Sequence, residues 1–358
     1  MKPKRIPCIL LSVFSLAAML LASCSQQKTS TPVPFQKIFQ PEDITGNSSG
    51  TLFVTDISNF YILSVNDAGT AQPFVNVNMK LGCSGDGGSC YFASLSGPFG
   101  ITTDNSGNIY FTDAGCHTLH KIDAATNMMS LIAGNGSQDY SGDGGPALSA
   151  GLFGPAGIAI DKNNNLFLVD GYRIRKVVLA TGVITTVAGD GTASFGGDGG
   201  PALLAQIQPG YVAVDNLGNI YISDLGNYRI RKVTAGINVI TTIAGNGIIG
   251  YNGDSIPATS ARINYPAGIK VDTAGNVYFC DRQRVRKIDS KTNLIYTVAG
   301  GGTNTSLDYS GSAKAVSLGD LSGLTFDAKG NFYFLDNTNL CIRKVDISTG
   351  IINTILHN

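Results

Sequence analysis

Pairs of short apolar runs separated by polar turns recur along this chain, and their phrasing is close enough for the copies to be aligned directly. GPFGITTDNSGNIYFTD ends at Asp113, GPAGIAIDKNNNLFLVD at Asp170, QPGYVAVDNLGNIYISD at Asp224, YPAGIKVDTAGNVYFCD at Asp281 and DLSGLTFDAKGNFYFLD at Asp336. A degenerate copy, QPEDITGNSSGTLFVTD, comes first and ends at Asp56. Successive terminal Asp residues are 57, 57, 54, 57 and 55 positions apart, and a fixed period of that size marks a repeat architecture.

Each copy reads as β-structure throughout. In the copy ending at Asp170, Gly157 to Asp161 and Asn165 to Asp170 are apolar runs joined by Lys162, Asn163 and Asn164, a turn suited to a hairpin. Arg173 to Val178 and Val183 to Ala188 follow as a second hairpin joined at Thr181 and Gly182. Every copy therefore predicts four short antiparallel strands, here a to d. One such sheet cannot bury both faces, so the copies must stack, and six arranged radially predict an all-β, six-bladed β-propeller of four-stranded antiparallel blades. Either Phe35 to Phe39 (FQKIF) or Ile351 to Leu356 (IINTIL) supplies the outer strand of the sixth blade.

The remaining length divides into two short segments. Lys2, Lys4 and Arg5 precede an apolar stretch from Ile9 to Leu21 that is too short to cross a bilayer, and Leu21-Ala22-Ser23-Cys24 follows. Charge, apolar core, small residues and cysteine in that order predict a secretory signal over residues 1–23. The LASC ending resembles a bacterial lipobox, which implies acylation of Cys24 and a lipid-anchored protein of the bacterial cell envelope with an extracytoplasmic propeller. Residues 24–34 read as a polar tether, and 35–358 as the propeller.

Charge excludes one class of partner. The signal region holds three of the 25 basic residues and none of the 25 acidic ones, so 22 basic residues face 25 acidic ones in the remainder. That balance argues against nucleic acid. The Arg/Lys pairs of strand c (Arg175 and Lys176, Arg231 and Lys232, Arg286 and Lys287, Arg343 and Lys344) recur blade by blade. Such repetition predicts stems packed between blades, with heads reaching carboxylates or carbonyls.

The strings NYRIRKV (Asn227 to Val233), ITTIAGNG (Ile240 to Gly247) and YSGDGGPA (Tyr140 to Ala147) resemble NHL-repeat propellers, in particular the bacterial and teneurin-type modules. The resemblance implies the fold and leaves function open, because similar propellers serve as interaction modules, lactonase-like hydrolases and lyases.

Strand parity puts the D-x-x-G-N turns (Asp104, Asp215, Asp272 and Asp327) on one face of the disc, and the terminal Asp ring with the GDGG loops on the other. The crossings from Gly134 to Phe153 and from Gly189 to Ile207 are much longer than a blade-to-blade step requires. They carry Tyr140 before Asp143 and Phe195 before Asp198, and a third loop has Tyr251 before Asp254. Two roles fit: a loop folded back with its Asp capping its own turn, or a rim of aromatics and carboxylates that binds a protein or glycan partner. The ring of Asp56, Asp113, Asp170, Asp224, Asp281 and Asp336 reads as caps for the following turns. In the fourth loop Cys83 and Cys90 bracket Asp86 and predict a short disulfide loop.

Candidate catalytic chemistry is sparse. His117 and His120 are single-copy substitutions and His357 is terminal, so no His triad forms, and no metal or other cofactor is expected. Glu42, the only glutamate, occupies a channel-mouth slot where the other copies have Phe99, Ala156, Gly210, Ala267 and Ser322. That slot resembles the lactonase-type pattern and motivates the alternative of a hydrolase or lyase with a degenerate metal site, although no Asn or Asp is there to complete a calcium cage. The main expectation is a non-enzymatic binding propeller. A purely structural role in an envelope assembly is a third reading.

Overall fold

The structure, a computed structural model, describes residues 38–358. The signal segment, Cys24 and the polar tether lie outside the described residues. Six antiparallel sheets follow one another, each built from four consecutive strands. In the third blade strand a is Pro155–Ile160, b Asn165–Asp170, c Arg173–Val178 and d Val183–Ala188. The chain is a six-bladed β-propeller. Each strand a lies against strand a of both neighbouring blades, and Pro41–Gly46 of the first against Leu321–Phe326 of the sixth closes the ring.

The a–b turns form because an Asp side chain does the work of a backbone turn. Asp104 accepts hydrogen bonds from the Ser106 and Asn108 amides, each at 2.9 Å, while Gly107 supplies the positive φ of 83°. The Asn108 side chain then accepts the Ala124 amide at 3.0 Å and ties the a–b turn to the c–d turn. The same pairing recurs from Asn219 to Ala235, Asn276 to Ser290 and Asn331 to Ile347.

Blades approach most closely along strand a. A Cβ on Gly157 would sit 2.7 Å from the Tyr211 Cα, and one on Gly323 would sit 2.6 Å from the Asp43 Cα. Glycine at this slot is therefore a packing requirement between blades. Hydroxyls at the end of strand b reinforce the contact. Thr55 donates to the Phe99 carbonyl at 2.6 Å, Thr112 to the Ala156 carbonyl at 2.8 Å and Ser223 to the Ala267 carbonyl at 2.6 Å.

Closure uses the C-terminal segment: Ile351–His357 is the outer strand of the sixth blade. Ile38 is fully buried in the core, where its amide donates to Asn358 Oδ1 at 3.0 Å.

The length of the GDGG loops has a structural cause. After leaving the second blade, the chain runs to the outer edge of the third, where Pro146 bridges Val183. There the Ile184 amide donates to the Gly145 carbonyl at 3.1 Å and the Ala147 amide to the Gly182 carbonyl at 2.7 Å. Equivalent bridges join Ser89 to Met128, Pro201 to Val239, Pro257 to Leu294 and Ser312 to Ile351. Five blades thus have their outermost strand capped, which removes open sheet edges.

The expected Cys83–Cys90 bridge is corrected: Cys83 pairs with Cys116, with a Cα–Cα distance of 5.6 Å. Cys90 is a buried free thiol. It opens the short 3₁₀ turn Cys90–Phe92 in the slot held by Ala147, Ala202, Ala258 and Ala313 in the other blades. All four alanines are buried, so the Cys90 thiol faces the core while Cys116, on a b–c turn, meets the loop from above. Non-reducing peptide mapping is expected to recover the Cys83–Cys116 link and to find Cys90 unreactive until unfolding. Cys116→Ser should free Cys83 for alkylation and cost about 2–4 kcal/mol.

Candidate functional site

On the loop face, three blades carry the same buried ionic unit. Arg175, on strand c, is 1% exposed and lies between Asp143 of the GDGG loop at 2.9 Å and Asp170 at the end of strand b at 3.2 Å. Arg231 joins Asp198 at 2.8 Å to Asp224 at 3.2 Å, and Arg286 joins Asp254 at 3.2 Å to Asp281 at 3.1 Å. Each guanidinium also donates to a loop carbonyl: Ser141, Gly196 or Gly253. The strand-c arginines are therefore internal clasps, and the GDGG carboxylates bind an arginine instead of capping their own turn.

The aromatic before each Asp belongs to the same unit. The Arg173 guanidinium stacks 4.2 Å over the Tyr140 ring, that of Arg229 lies 3.7 Å over Phe195 and that of Arg284 lies 4.1 Å over Tyr251. Arg231 and Arg286 lie 4.9 and 5.0 Å over Phe195 and Tyr251. Cation–π contact thus fixes the rings while leaving Phe195 39% and Tyr251 43% exposed. Tyr140 also stacks on Phe153 with centroids 4.7 Å apart.

The terminal Asp ring caps more than the following turn. Asp170 accepts the Phe153 amide at 2.7 Å, Asp224 the Gln208 amide at 2.7 Å and Asp56 the Phe39 amide at 2.7 Å, all at the entry to strand a. Asp113 accepts the Cys116 amide of the following turn at 3.2 Å as well. Burial pushes the Asp170 and Asp224 carboxyls up and carries Asp281 to about 6, against the pull of the paired arginines and amides.

The other three blades depart from the unit. In the second, His120 takes the arginine slot, with Nδ1 3.0 Å from Asp86 and Nε2 2.8 Å from the Thr118 hydroxyl. The first has Leu63 in that slot, paired with Val54 and Pro73. In the sixth, Arg343 reaches Asp336 at 3.9 Å and the Leu307 carbonyl at 3.1 Å.

At the channel mouth, sequence reasoning missed Tyr211. This residue fills a slot held by glycine in four other copies, and its hydroxyl crosses from the fourth blade to donate to the Glu42 carbonyl of the first at 3.1 Å. Phe99 packs on it with centroids 5.8 Å apart. A lone aromatic in a glycine slot was the available signal. Burial raises the Glu42 carboxyl from 4.5 to about 7 and Asp43 to about 6, even though Lys270 and the Ile101 and Ile44 amides pull Asp43 down.

Glu42 accepts only a long contact from Gln40 at 3.3 Å, and the Asp43 oxygens are taken by the Ile44 and Ile101 amides. Among the described residues no three His, Cys, Asp or Glu side chains are grouped to hold a metal ion. The oxygen cage needed for a lactonase-type metal does not fit these residues.

The teneurin NHL domain family matches residues 135–195 and 249–310, which contain the first and third GDGG-type loops. Over these two segments the chain is similar to NHL-repeat β-propellers. It is 24% identical over 358 residues to bovine (Bos taurus) NHL repeat-containing protein 2, covering 90% of this chain and 48% of that protein. It spans less than half the length of the curated relatives to which it is similar. An auxiliary nutrient binding protein from Bacteroides ovatus superposes with a TM-score of 0.60 at 15% identity, covering 89% of this chain and 70% of that one. A gluconolactonase from Xanthomonas campestris gives 0.57 at 13% identity, covering 89% and 88%. At such identities the likeness to solved structures is one of fold.

Two outcomes test the site. Asp224→Ala leaves a buried guanidinium short of a carboxylate and should cost about 3–5 kcal/mol. Asp198→Ala removes a partly exposed partner and should cost about 1–2 kcal/mol. Both losses, read by denaturant unfolding, should be the same with calcium or a chelator present.

A second test concerns Glu42. A carboxyl raised by folding binds its proton more tightly in the native state, so stability falls as pH rises from about 4.5 to about 7. Glu42→Gln should therefore stabilise the protein at pH 8, leave it unchanged at pH 4 and flatten the profile between them.

Proposed function

We propose that this chain is a membrane-anchored, non-enzymatic NHL-repeat propeller that binds a protein or glycan through its long-loop face, with Cys24 as the lipid-attachment site. The observation that carries the reading is the state of the aromatics on that face. Phe195 and Tyr251 are locked by stacked guanidinium groups yet keep 39% and 43% of their surface exposed. Rigid, partly exposed aromatic side chains lose little entropy when a partner covers them. Ile248 and Ile249, 52% and 44% exposed, lie in the loop just before Tyr251 and extend the apolar surface. Tyr140, Asp143, Asp198 and Asp254 serve mainly to hold the loops, so Phe195, Tyr251 and the two isoleucines carry the proposed contact.

The test has a binding arm and an anchoring arm. Ile248→Ser combined with Ile249→Ser should leave stability within about 0.5 kcal/mol and weaken binding at least tenfold, measured against glycan arrays and against partners captured on intact cells by a photo-crosslinker at Leu203, 52% exposed on the 3₁₀ turn that follows the Phe195 loop. Leu217→Ser, on the opposite face, should leave binding unchanged. The reverse pattern would overturn the assignment of the face. Separately, Cys24→Ala should abolish incorporation of a fatty-acid label and detergent partitioning.

A further inference from the structure

A cleft of about 730 Å³ opens on the face opposite the long loops, between the sixth blade and the first. It runs from the channel exit at Gly46, Thr103 and Phe326 outward to Ile355 on the outer strand of the sixth blade. A volume of that size is typical of small-ligand sites.

One wall is made by a departure from the repeat. In four blades the glycine of the a–b turn faces a short or apolar side chain at the head of the c–d turn: Gly107 faces Ala124, Gly218 Ala235, Gly275 Ser290 and Gly330 Ile347, each 3.6–3.8 Å from where a Cβ on the glycine would be. In the first blade Gly50 faces Asp67, and a Cβ there would lie 2.8 Å from the Asp67 Oδ1. Only this blade sets a charge in the slot. The tie between the two turns is lost at the same place. Asn108, Asn219, Asn276 and Asn331 accept the amide of the slot residue, whereas the residue after Gly50 is Thr51. Asn66 closes the c–d turn of the first blade instead, its Oδ1 accepting the Ala68 amide at 3.1 Å and the Thr70 amide at 2.8 Å. The Asp67 carboxylate is exposed and accepts no hydrogen bond from the described residues.

The facing wall carries the opposite charge. Lys329, on the a–b turn of the sixth blade, stands where the other turns have Ser49, Ser106, Asn163, Leu217 and Ala274. Among the described residues it makes no ion pair. Beside it, the Lys344 ammonium lies 5.1 Å from the centre of the Tyr333 ring. A hydrogen bond with the Tyr333 hydroxyl, helped by the Asp327 and Asp67 carboxylates, holds Lys344 above the usual lysine range against its partial burial. Lys121 and Lys287, in the same slot of strand c, bind Asp123 at 3.5 Å and Asp289 at 3.2 Å; Lys344 has no such partner. Phe326 and Ile355, both partly buried, give the cleft an apolar lining between these charges.

Unpaired charges of opposite sign on two walls of one cleft complement a ligand that carries both signs itself. A simple anion would be opposed by Asp67, Asp104 and Asp327 together. A metal ion would find one free carboxylate, because Asp104 and Asp327 accept the amides of their own turns. A sugar would find the Tyr333 ring already covered by Lys344. We infer that this cleft binds a zwitterion of the amino-acid or short-peptide class, its ammonium on Asp67, its carboxylate on Lys329 and its side chain against Phe326 and Ile355. The site lies apart from the loop face and does not depend on the binding proposed there.

Isothermal titration calorimetry of the full chain with the dipeptide Ala-Leu tests the assignment, with free leucine, N-acetyl-Ala-Leu, Ala-Leu amide and glucose as comparison ligands. The expected result is saturable binding of Ala-Leu and at least tenfold weaker binding of either blocked dipeptide, because each blocked form leaves one charge of the site unpaired. Asp67→Asn should lower the Ala-Leu affinity at least tenfold and remove the discrimination against the N-acetyl form. Lys329→Met should do the same for the amide form. Lys162→Met, on the a–b turn of the third blade, should change nothing. All three positions are exposed, so unchanged melting temperatures will show the fold intact. Leucine bound as tightly as Ala-Leu assigns the cleft to free amino acids, and weaker binding assigns it to peptides. No saturable binding of either, equal affinity for free and blocked forms, glucose bound more tightly than Ala-Leu, or wild-type affinity in Asp67→Asn would each overturn the site.

Discussion

A guanidinium buried between two carboxylates holds the long loops to the blades of this propeller, and most of the loop face depends on it. Arg175, Arg231 and Arg286 are at most 1% exposed, a position that a cation occupies only when it is paired and hydrogen-bonded. One carboxylate comes from strand b of the same blade, and its second oxygen receives the amides at the entry to strand a. The other comes from the loop arriving from the previous blade. A single side chain thereby joins two chain segments separated by more than thirty residues. The clasp explains why Asp, Arg and the GDGG glycines recur together.

The clasp also gives the long loops two roles. Their backbone pairs with the outermost strand of the next blade and removes an open sheet edge. Their aromatics lie flat against the arginines and keep part of their surface in solvent. Rigidity and exposure therefore arise from the same contacts, which makes this face suited to binding without reorganisation. The opposite face is built of Asx turns whose side chains are spent on their own backbone, as at Asp104 and Asp215.

The centre of the disc follows a different logic. Glycine on strand a lets neighbouring backbones meet, and the two departures from glycine, Asp43 and Tyr211, fall on opposite blades. Tyr211 bridges to the Glu42 carbonyl and, with Phe99, packs the channel mouth. Glu42 is thereby placed in a desolvated setting that raises its carboxyl, with smaller upward pushes from the Asp43 and Asp56 carboxylates.

The sequence alone determined the number of blades, the strand order within them and the face on which each turn lies, because these follow from local periodicity and from turn residues that act over a few positions. The packing role of the strand-c arginines was legible in the same way, as repetition. Partners were not legible. Cys83 chose Cys116 over the nearer Cys90 because the Cys90 slot is buried in the core in this and the four following blades, and Asp143 chose Arg175 over its own turn because the loop crosses to the next blade's edge. Tyr211 stands out in the sequence as an aromatic in a slot that is glycine in four other copies, but only closure of the ring sets it opposite Glu42. Such contacts join residues distant in sequence, and only the radial packing of blades decides which of them meet.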